Sequence, residues 1–382
     1  MCPVLAWPPG LGGRLTLPRQ PAQPLHVHGP PPTRRHRQWL HDEARRTGSR
    51  QRWGRAVDPA GVGTEVWYHI WRGVRYLQAR QRALPATCAG RDRVVQTRES
   101  IGFIGLGQMG MGMARNLLAA GYDVLAYDVA TAPLERFVDQ GGRRAAHPAQ
   151  IGAACQRVLV MVVNGEQVEA VVQGEHGLLQ TMTSGSILVC STIALADLHR
   201  VAERAAAQGV AVIDSPVSGG VEGAAEGTLT IFCGGDPAIV EAHRPLLQVV
   251  GAHVAHLGPL GAGLVGKLAN NLILGVGRLA IAEAMAMAKK AGVPLDTLYQ
   301  TLKTCTADSR LLRALEGAVL RGEYPPVTFH AVKDLSAAVD SGRSVQQAMP
   351  VTSLSLALYQ LADDKLGGLR TSTEVVRYFL ED

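Results

Sequence analysis

At 382 residues, with 47% hydrophobic and 18% charged residues, the chain is long enough for two domains with full cores, and its composition excludes a fibre or a disulfide scaffold. Cys2, Cys88, Cys155, Cys190, Cys233 and Cys305 form no CxxC pair and no Cys/His cluster, which points to a reducing compartment and to no structural zinc or other metal site. The net charge of +6 is unevenly placed, because residues 1–98 hold 17 Arg against 5 acids while the remainder carries 21 basic and 27 acidic residues.

All five Trp lie before residue 99 and all six Lys after it, so two differently composed segments are joined there. The first, with eleven Pro and blocks such as TRRHRQ, reads as disordered or extended. Its exception is Trp67, Ile70, Trp71, Val74 and Leu77, which recur at helical spacing opposite Arg72 and Arg75 as in a basic amphipathic helix suited to a membrane surface or nucleic acid. The arm is expected to carry no function and to be non-native, from translation upstream of the true start. A transit peptide is the alternative, against which stand its Pro content and scarcity of Ser.

From residue 99 the pattern changes. IGFIG (101–105) reads as an apolar strand and runs into GLGQMGMGMARNLLAAG, whose Met109, Met113, Leu117 and Leu118 recur at helical spacing. Gly105, Gly107 and Gly110 stand in GxGxxG order, with Leu106, Gln108 and Met109 between them. The first glycine permits a tight turn, the second lets a pyrophosphate approach the backbone, and the third lets helix and strand pack closely, with the helix N-terminus toward the phosphates. A second strand (Val124–Tyr127) ends at Asp128, near the ~20-residue offset at which a carboxylate accepts the adenosine ribose hydroxyls and repels a 2′-phosphate. Val129 and Ala130 offer no guanidinium for such a phosphate, so NAD is expected over NADP; a capping Asp128 is the alternative. Alternation continues through VLVMVV (158–163), SILVCST (186–192) and VAVID (210–214), which predicts a doubly wound parallel sheet with Val163, Asn164, Ser191 and Thr192 lining the cofactor crevice. Each of these four also suits an ordinary loop or cap.

After VAVID, the segment SPVSGGVEGAAEGT places Ser218, Gly219 and Gly220 where a hydroxyl and successive backbone N–H groups could hold a carboxylate; a glycine turn between two strands is the plain alternative. GPLGAGLVGKLANN (258–271) then opens a long apolar segment in which Lys267 and Asn271, four residues apart, share one helical face. Leu264, Val265, Leu268, Leu272 and Ile273 would desolvate the lysine and lower its pKa, suiting it to take a hydroxyl proton as the substrate is oxidised and to return it in the reverse reaction. Polar residues interrupt every stretch after residue 260, so no bilayer-spanning run of roughly 20 apolar residues is expected and the protein reads as soluble.

These segments together resemble the β-hydroxyacid dehydrogenase family, which includes 3-hydroxyisobutyrate dehydrogenase and 2-hydroxy-3-oxopropionate reductase. GLGQMGMGMARNL is similar to its cofactor signature, DSPVSGGVEGA to its substrate motif, GPLGAGLVGKLANN to its catalytic motif and FHAVKDL (329–335) to its C-terminal cofactor-closing segment. The resemblance covers residues 100 to about 380 and implies that Lys267 is catalytic, that Ser218, Gly219, Gly220 and Asn271 surround the substrate, and that Thr192 and Lys333 lie at the cofactor. Taken alone, Lys333 beside Asp334 reads as a solvated charge pair. The resemblance further implies a long inter-domain helix beginning near Gly263 and a helical C-terminal domain that mediates homodimers or homotetramers. Asn270 stands where 6-phosphogluconate dehydrogenases carry His, which speaks against that decarboxylation, and Cys190 precedes Ser191 where Asp or Ser is common.

The expectation is therefore an arm (1–98), an NAD-binding Rossmann domain (99–261) and an all-helical domain (262–382), acting in the cytoplasm, or in the mitochondrial matrix if the arm is a transit peptide. The reaction expected is interconversion of a 3-hydroxyisobutyrate-like acid and its semialdehyde. Reduction of tartronate semialdehyde or another short aldehyde acid is the alternative. A nucleic-acid or chromatin binder with an idle dehydrogenase fold is a reading of another class.

Overall fold

The computed structural model describes residues 99–325 and 329–381, so the amphipathic pattern at 67–77 lies outside the described residues. Strand β1 (Ser100–Ile104) is buried at four of its five positions, as a parallel strand covered on both faces must be. The chain then enters α1 (Gln108–Ala119), which buries Gly110, Met113, Ala114 and Leu117 on one stripe. Next come β2 (Asp123–Tyr127), α2 (Thr131–Val138), β3 (Arg143–Arg144), α3 (Pro148–Ala154), β4 (Arg157–Val160), α4 (Gly165–Gln173), β5 (Ser186–Val189), α5 (Leu195–Ala206) and β6 (Ala211–Asp214).

Strands β3, β2, β1, β4, β5 and β6 lie side by side in that order and pair in parallel. The order reverses between β1 and β4, and the carboxyl ends of such a pair are where open α/β sheets take ligands. Strand β4 is shorter than the apolar run 158–163 predicts, since pairing stops at Val160 and Met161–Asn164 form a loop over the crevice. The sheet continues through β7 (Val217–Ser218), β8 (Thr230–Gly234) and β9 (His253–Gly258), with α6 (Gly220–Glu226) and α7 (Pro237–Val250) between them. Here the wholly parallel expectation fails, because β8 runs antiparallel to β6 and β7. Only Ser215 and Pro216 separate β6 from β7, so the two continue in one direction, and after the short helix α6 the chain returns as β8 against both.

Helix α8 (Ala262–Lys290) begins one residue before the expected Gly263, at the expected domain junction, and is followed by α9 (Leu295–Leu302), α10 (Arg310–Ala314), α11 (Glu316–Arg321), α12 (Ala331–Ser344), α13 (Pro350–Lys365) and α14 (Val375–Leu380). Two apolar clusters fill the two faces of the sheet and two more fill the helical part. Helix α8 belongs to both, with Leu264 in a sheet cluster and Leu279, Ala282 and Met285 in the helical ones. This explains a departure from expectation: by length and composition α8 is apolar enough to cross a membrane, although Lys267, Asn271 and Arg278 interrupt it.

The root of α8 is fixed by Asp214, the last residue of β6, which is fully buried. Its Oδ1 accepts the Gly261 N–H at 2.8 Å and its Oδ2 the Leu264 N–H at 2.7 Å, so both carboxylate oxygens hold the first turn. Burial pushes the carboxyl pKa up while the backbone donors pull it down. Gly263 lets the helix seat this closely, since a Cβ there would fall 2.2 Å from the Phe232 carbonyl oxygen. Asp214→Ala leaves two buried N–H groups without an acceptor, for an expected loss of roughly 2–6 kcal/mol, visible as a lower urea midpoint at constant m-value.

Candidate active site

The three glycines after β1 occupy distinct environments. Gly105 adopts φ +94°, and a Cβ there would lie 2.2 Å from the Met161 carbonyl oxygen. A Cβ on Gly110 would meet the Gly105 carbonyl oxygen at 1.9 Å, which is the close strand–helix contact expected of the third glycine. Around Gly107, in contrast, no atom lies within 4 Å of where a Cβ would stand, and α1 begins at the next residue. Gln108 is exposed and Met109 half-buried on that first turn, while Leu106 is buried and its N–H donates to Asp128 Oδ2 at 2.6 Å. Asp128 Oδ1 accepts the Ala130 N–H at 2.8 Å, so the carboxylate ties the glycine turn to the end of β2. The capping alternative for Asp128 thus has a geometric basis, and each oxygen retains a lone pair for a further donor.

The β4 and β5 ends complete the crevice. Val163 is exposed, and the Asn164 side chain caps α4 by accepting the Gln167 N–H at 2.9 Å. Ser191 Oγ accepts the Val162 N–H at 2.8 Å, a bond internal to the protein. The carbonyls of Thr192 and Val163 both accept from Lys333 Nζ, at 2.9 and 3.2 Å. Lys333 is therefore no solvated surface charge: it reaches from α12 to the ends of two strands, and its ammonium lies 3.0 Å from Oδ1 of the buried Asp334.

The glycine-rich segment is a turn between strand β7 and helix α6, where a turn between two strands was the plain expectation. Gly219 and Gly220 have φ of +140° and +71°, consecutive left-handed values that glycine adopts without strain. Helix α6 is docked on α1, with Asn116 Nδ2 donating to the Ala224 carbonyl at 2.8 Å. Because the segment starts at Ser215, directly after Asp214, the loop and the root of α8 spring from the same point of the sheet.

One turn further along α8, Lys267 is mostly buried, and desolvation lowers its pKa from 10.5 to about 8. Asp334 opposes this shift by favouring the charged form, and Lys333 adds to it. Asn271 is 3% exposed; its Nδ2 donates to Asp334 Oδ2 at 3.0 Å and its Oδ1 accepts from Asn270 Nδ2 at 3.1 Å. Asp334 is the residue that sequence reasoning passed over as a site member. Its signal was the adjacency to Lys333 in FHAVKDL, which spacing alone could not orient toward α8.

Comparison with known proteins sets this geometry in context. Residues 100–258 match the model of the NAD binding domain of 6-phosphogluconate dehydrogenase, and residues 261–379 match that of the NAD-binding domain of NADP-dependent 3-hydroxyisobutyrate dehydrogenase. L-threonate dehydrogenase of Cupriavidus necator is 34% identical over 73% of this chain and 96% of its own length. The chain belongs to the β-hydroxyacid dehydrogenase family. A second relative, 3-hydroxyisobutyrate dehydrogenase of Pseudomonas aeruginosa, is 34% identical over 72% of this chain and 96% of its own. The crystal structure of 3-hydroxyisobutyrate dehydrogenase from Salmonella typhimurium superposes with a TM-score of 0.64 at 30% identity, covering 73% of this chain and 99% of that one. As a family member the protein is an NAD(P)-dependent hydroxyacid dehydrogenase.

Lys267 should burden the fold that carries it. Its folded-state pKa lies below the unfolded value, so the unfolded chain binds more protons between about pH 8 and pH 10.5 and native stability rises with pH across that window. Lys267→Met is expected to stabilise the protein by up to about 3 kcal/mol at pH 7, with the gain fading above pH 8. Denaturant titrations at pH 7 and pH 10 check both the sign and the fading.

Proposed function

We propose that the protein interconverts a small 3-hydroxy acid, of the size of 3-hydroxyisobutyrate, and its semialdehyde, with Lys267 as general base in oxidation and general acid in reduction. The observation that carries this reading is the mostly buried Lys267, its pKa brought to about 8 on a face shared with Asn271 and beside Asp334. At that pKa the amine is a competent proton acceptor near neutral pH, and its ammonium a competent donor. Asn271, held by Asp334, orients the substrate. Ser218 and the N–H groups of Gly219 and Gly220 receive its carboxylate, whose negative charge suits the consecutive left-handed glycines.

The residues of the crevice fit a dinucleotide. The open space at Gly107 admits a pyrophosphate against the backbone, Gly105, Leu106, Gln108, Met109 and Gly110 form its turn, and Val163, Asn164, Thr192 and Lys333 border the nicotinamide side. When bound, the nicotinamide supplies the two-electron acceptor for the carbinol carbon. Asp128, oriented by two backbone N–H groups, favours NAD over NADP because its charge opposes a 2′-phosphate. Exposed apolar side chains on α8 and α13, among them Ile273, Met287, Val351 and Leu354, support a homodimer or homotetramer.

NADH formation by the full chain with 3-hydroxyisobutyrate tests the assignment. Lys267→Ala should lower kcat by 10²- to 10⁴-fold, about 3–5 kcal/mol of barrier, and Asn271→Ala by less; unchanged turnover in Lys267→Ala would refute the role. Oxidation needs the free amine, so its kcat/KM should rise with pH to a plateau above about pH 8, whereas aldehyde reduction should fall across the same range. With NAD and NADP compared at the same substrate concentration, kcat/KM should favour NAD by at least about tenfold, and a preference for NADP would remove Asp128 from its place at the ribose.

A further inference from the structure

Helix α8 carries two consecutive asparagines, Asn270 and Asn271, one turn beyond Lys267. Asparagine is a poor residue for a helix interior, because its side chain competes for backbone groups, and two in succession within an apolar stretch call for a reason. Asn271 has one in its bond to Asp334. Asn270 is exposed, yet its Nδ2 is turned onto the neighbouring side chain and donates to Asn271 Oδ1 at 3.1 Å. Successive helical side chains leave the axis about 100° apart and do not ordinarily meet, so both must turn toward each other to close this bond.

The direction of the bond is dictated from the far side. Asp334, whose Oδ1 lies 3.0 Å from the Lys333 ammonium, presents a carboxylate oxygen that only accepts, so the Asn271 atom facing it at 3.0 Å is Nδ2. The Asn271 Oδ1 is thereby turned to Asn270, and only a donor can meet it there. With Asp334 alone the amide would still swing about its broad terminal torsion. The second bond pins the amide at both ends. Of the two donors and two lone pairs of Asn271, one of each is committed and one of each is left. In projection down α8, Lys267 falls between the asparagines, about 60° from Asn270 and about 40° from Asn271, and helical side chains lean toward the N-terminus. The bonded pair thus spans the helix over the turn that carries the lysine.

We propose that Asn270 is a positioning residue for the reaction: by holding Oδ1 it fixes the Asn271 amide, which then offers its remaining N–H to the hydroxyl oxygen of the 3-hydroxy acid in one orientation. Asn270 acts through Asn271 and makes no contact of its own with the substrate. This inference rests on the lysine-centred reading above, and its experiment separates the two.

A double-mutant cycle on the full chain tests it, with kcat and KM for 3-hydroxyisobutyrate and NAD measured for the native protein, Asn270→Ala, Asn271→Ala and the double variant. NADH affinity is followed by fluorescence and binding of the acid by calorimetry. Asn270→Ala should lower kcat/KM for the acid about 3- to 10-fold, the worth of one neutral hydrogen bond, with NADH affinity within about twofold of native. In the Asn271→Ala background the same change should cost less than about twofold, because the amide it positions is gone. Asn270→Gln, which keeps the donor on a longer arm, should recover part of the loss. An equal factor in both backgrounds overturns the proposal, since Asn270 would then act by itself, and so does an unchanged kcat/KM in Asn270→Ala. A parallel loss of NADH affinity, the mark of a disturbed fold, overturns it too. If Asn271→Ala does not fold, Asn270→Gln decides: recovery supports the proposal, and a loss equal to that of Asn270→Ala overturns it. Absence of turnover in the native protein overturns the lysine-centred reading instead. The cycle is then read in the dissociation constant of the acid, for the proposal by a weakening that requires Asn271 and against it by equal binding or by none.

Discussion

The architecture depends on one buried carboxylate. Asp214 closes β6 and its two oxygens accept the first N–H groups of α8, so the sheet and the lysine-bearing helix are joined at an atom pair rather than through a flexible linker. An amide could not replace it without loss, because asparagine offers one acceptor where two donors converge. The glycine-rich segment starts at the next residue and α8 carries Lys267 a turn away, so the spacing between that turn and the lysine inherits the rigidity of that junction.

A second joint acts across the crevice from the opposite direction. Lys333 reaches from α12 to the carbonyls of Val163 and Thr192, and Asp334 beside it holds Asn271 on α8. Two consecutive residues thus brace the sheet with one side chain and the lysine helix with the other. Asp334 also opposes, by charge, the desolvation that lowers the Lys267 pKa, so the brace and Lys267 are coupled electrostatically as well as mechanically.

Much of this was legible in the residues. The order of strand, glycine turn and helix, the roles of Gly105 and Gly110, and the shared face of Lys267 and Asn271 follow from periodicity and steric rules, and the structure agrees with each. What stayed hidden depended on partners distant in sequence. The solvated reading of Lys333 failed because two of its three contacts come from loops after strands about 140 and 170 residues earlier. Asp334 carried no signal that local spacing could orient, and the antiparallel β8 was masked by strands that all read alike as short apolar runs.

Helix α8 is a single uninterrupted rod embedded in the cores of both halves. Such a rod cannot bend where its two halves meet, so relative movement of the helical layer must appear at the other end as a tilt of the whole shaft about its pinned root. Lys267 sits close to that pivot and Lys290 far from it. A rocking motion would leave the surroundings of Lys267 nearly undisturbed while sweeping the distal end through a wider arc.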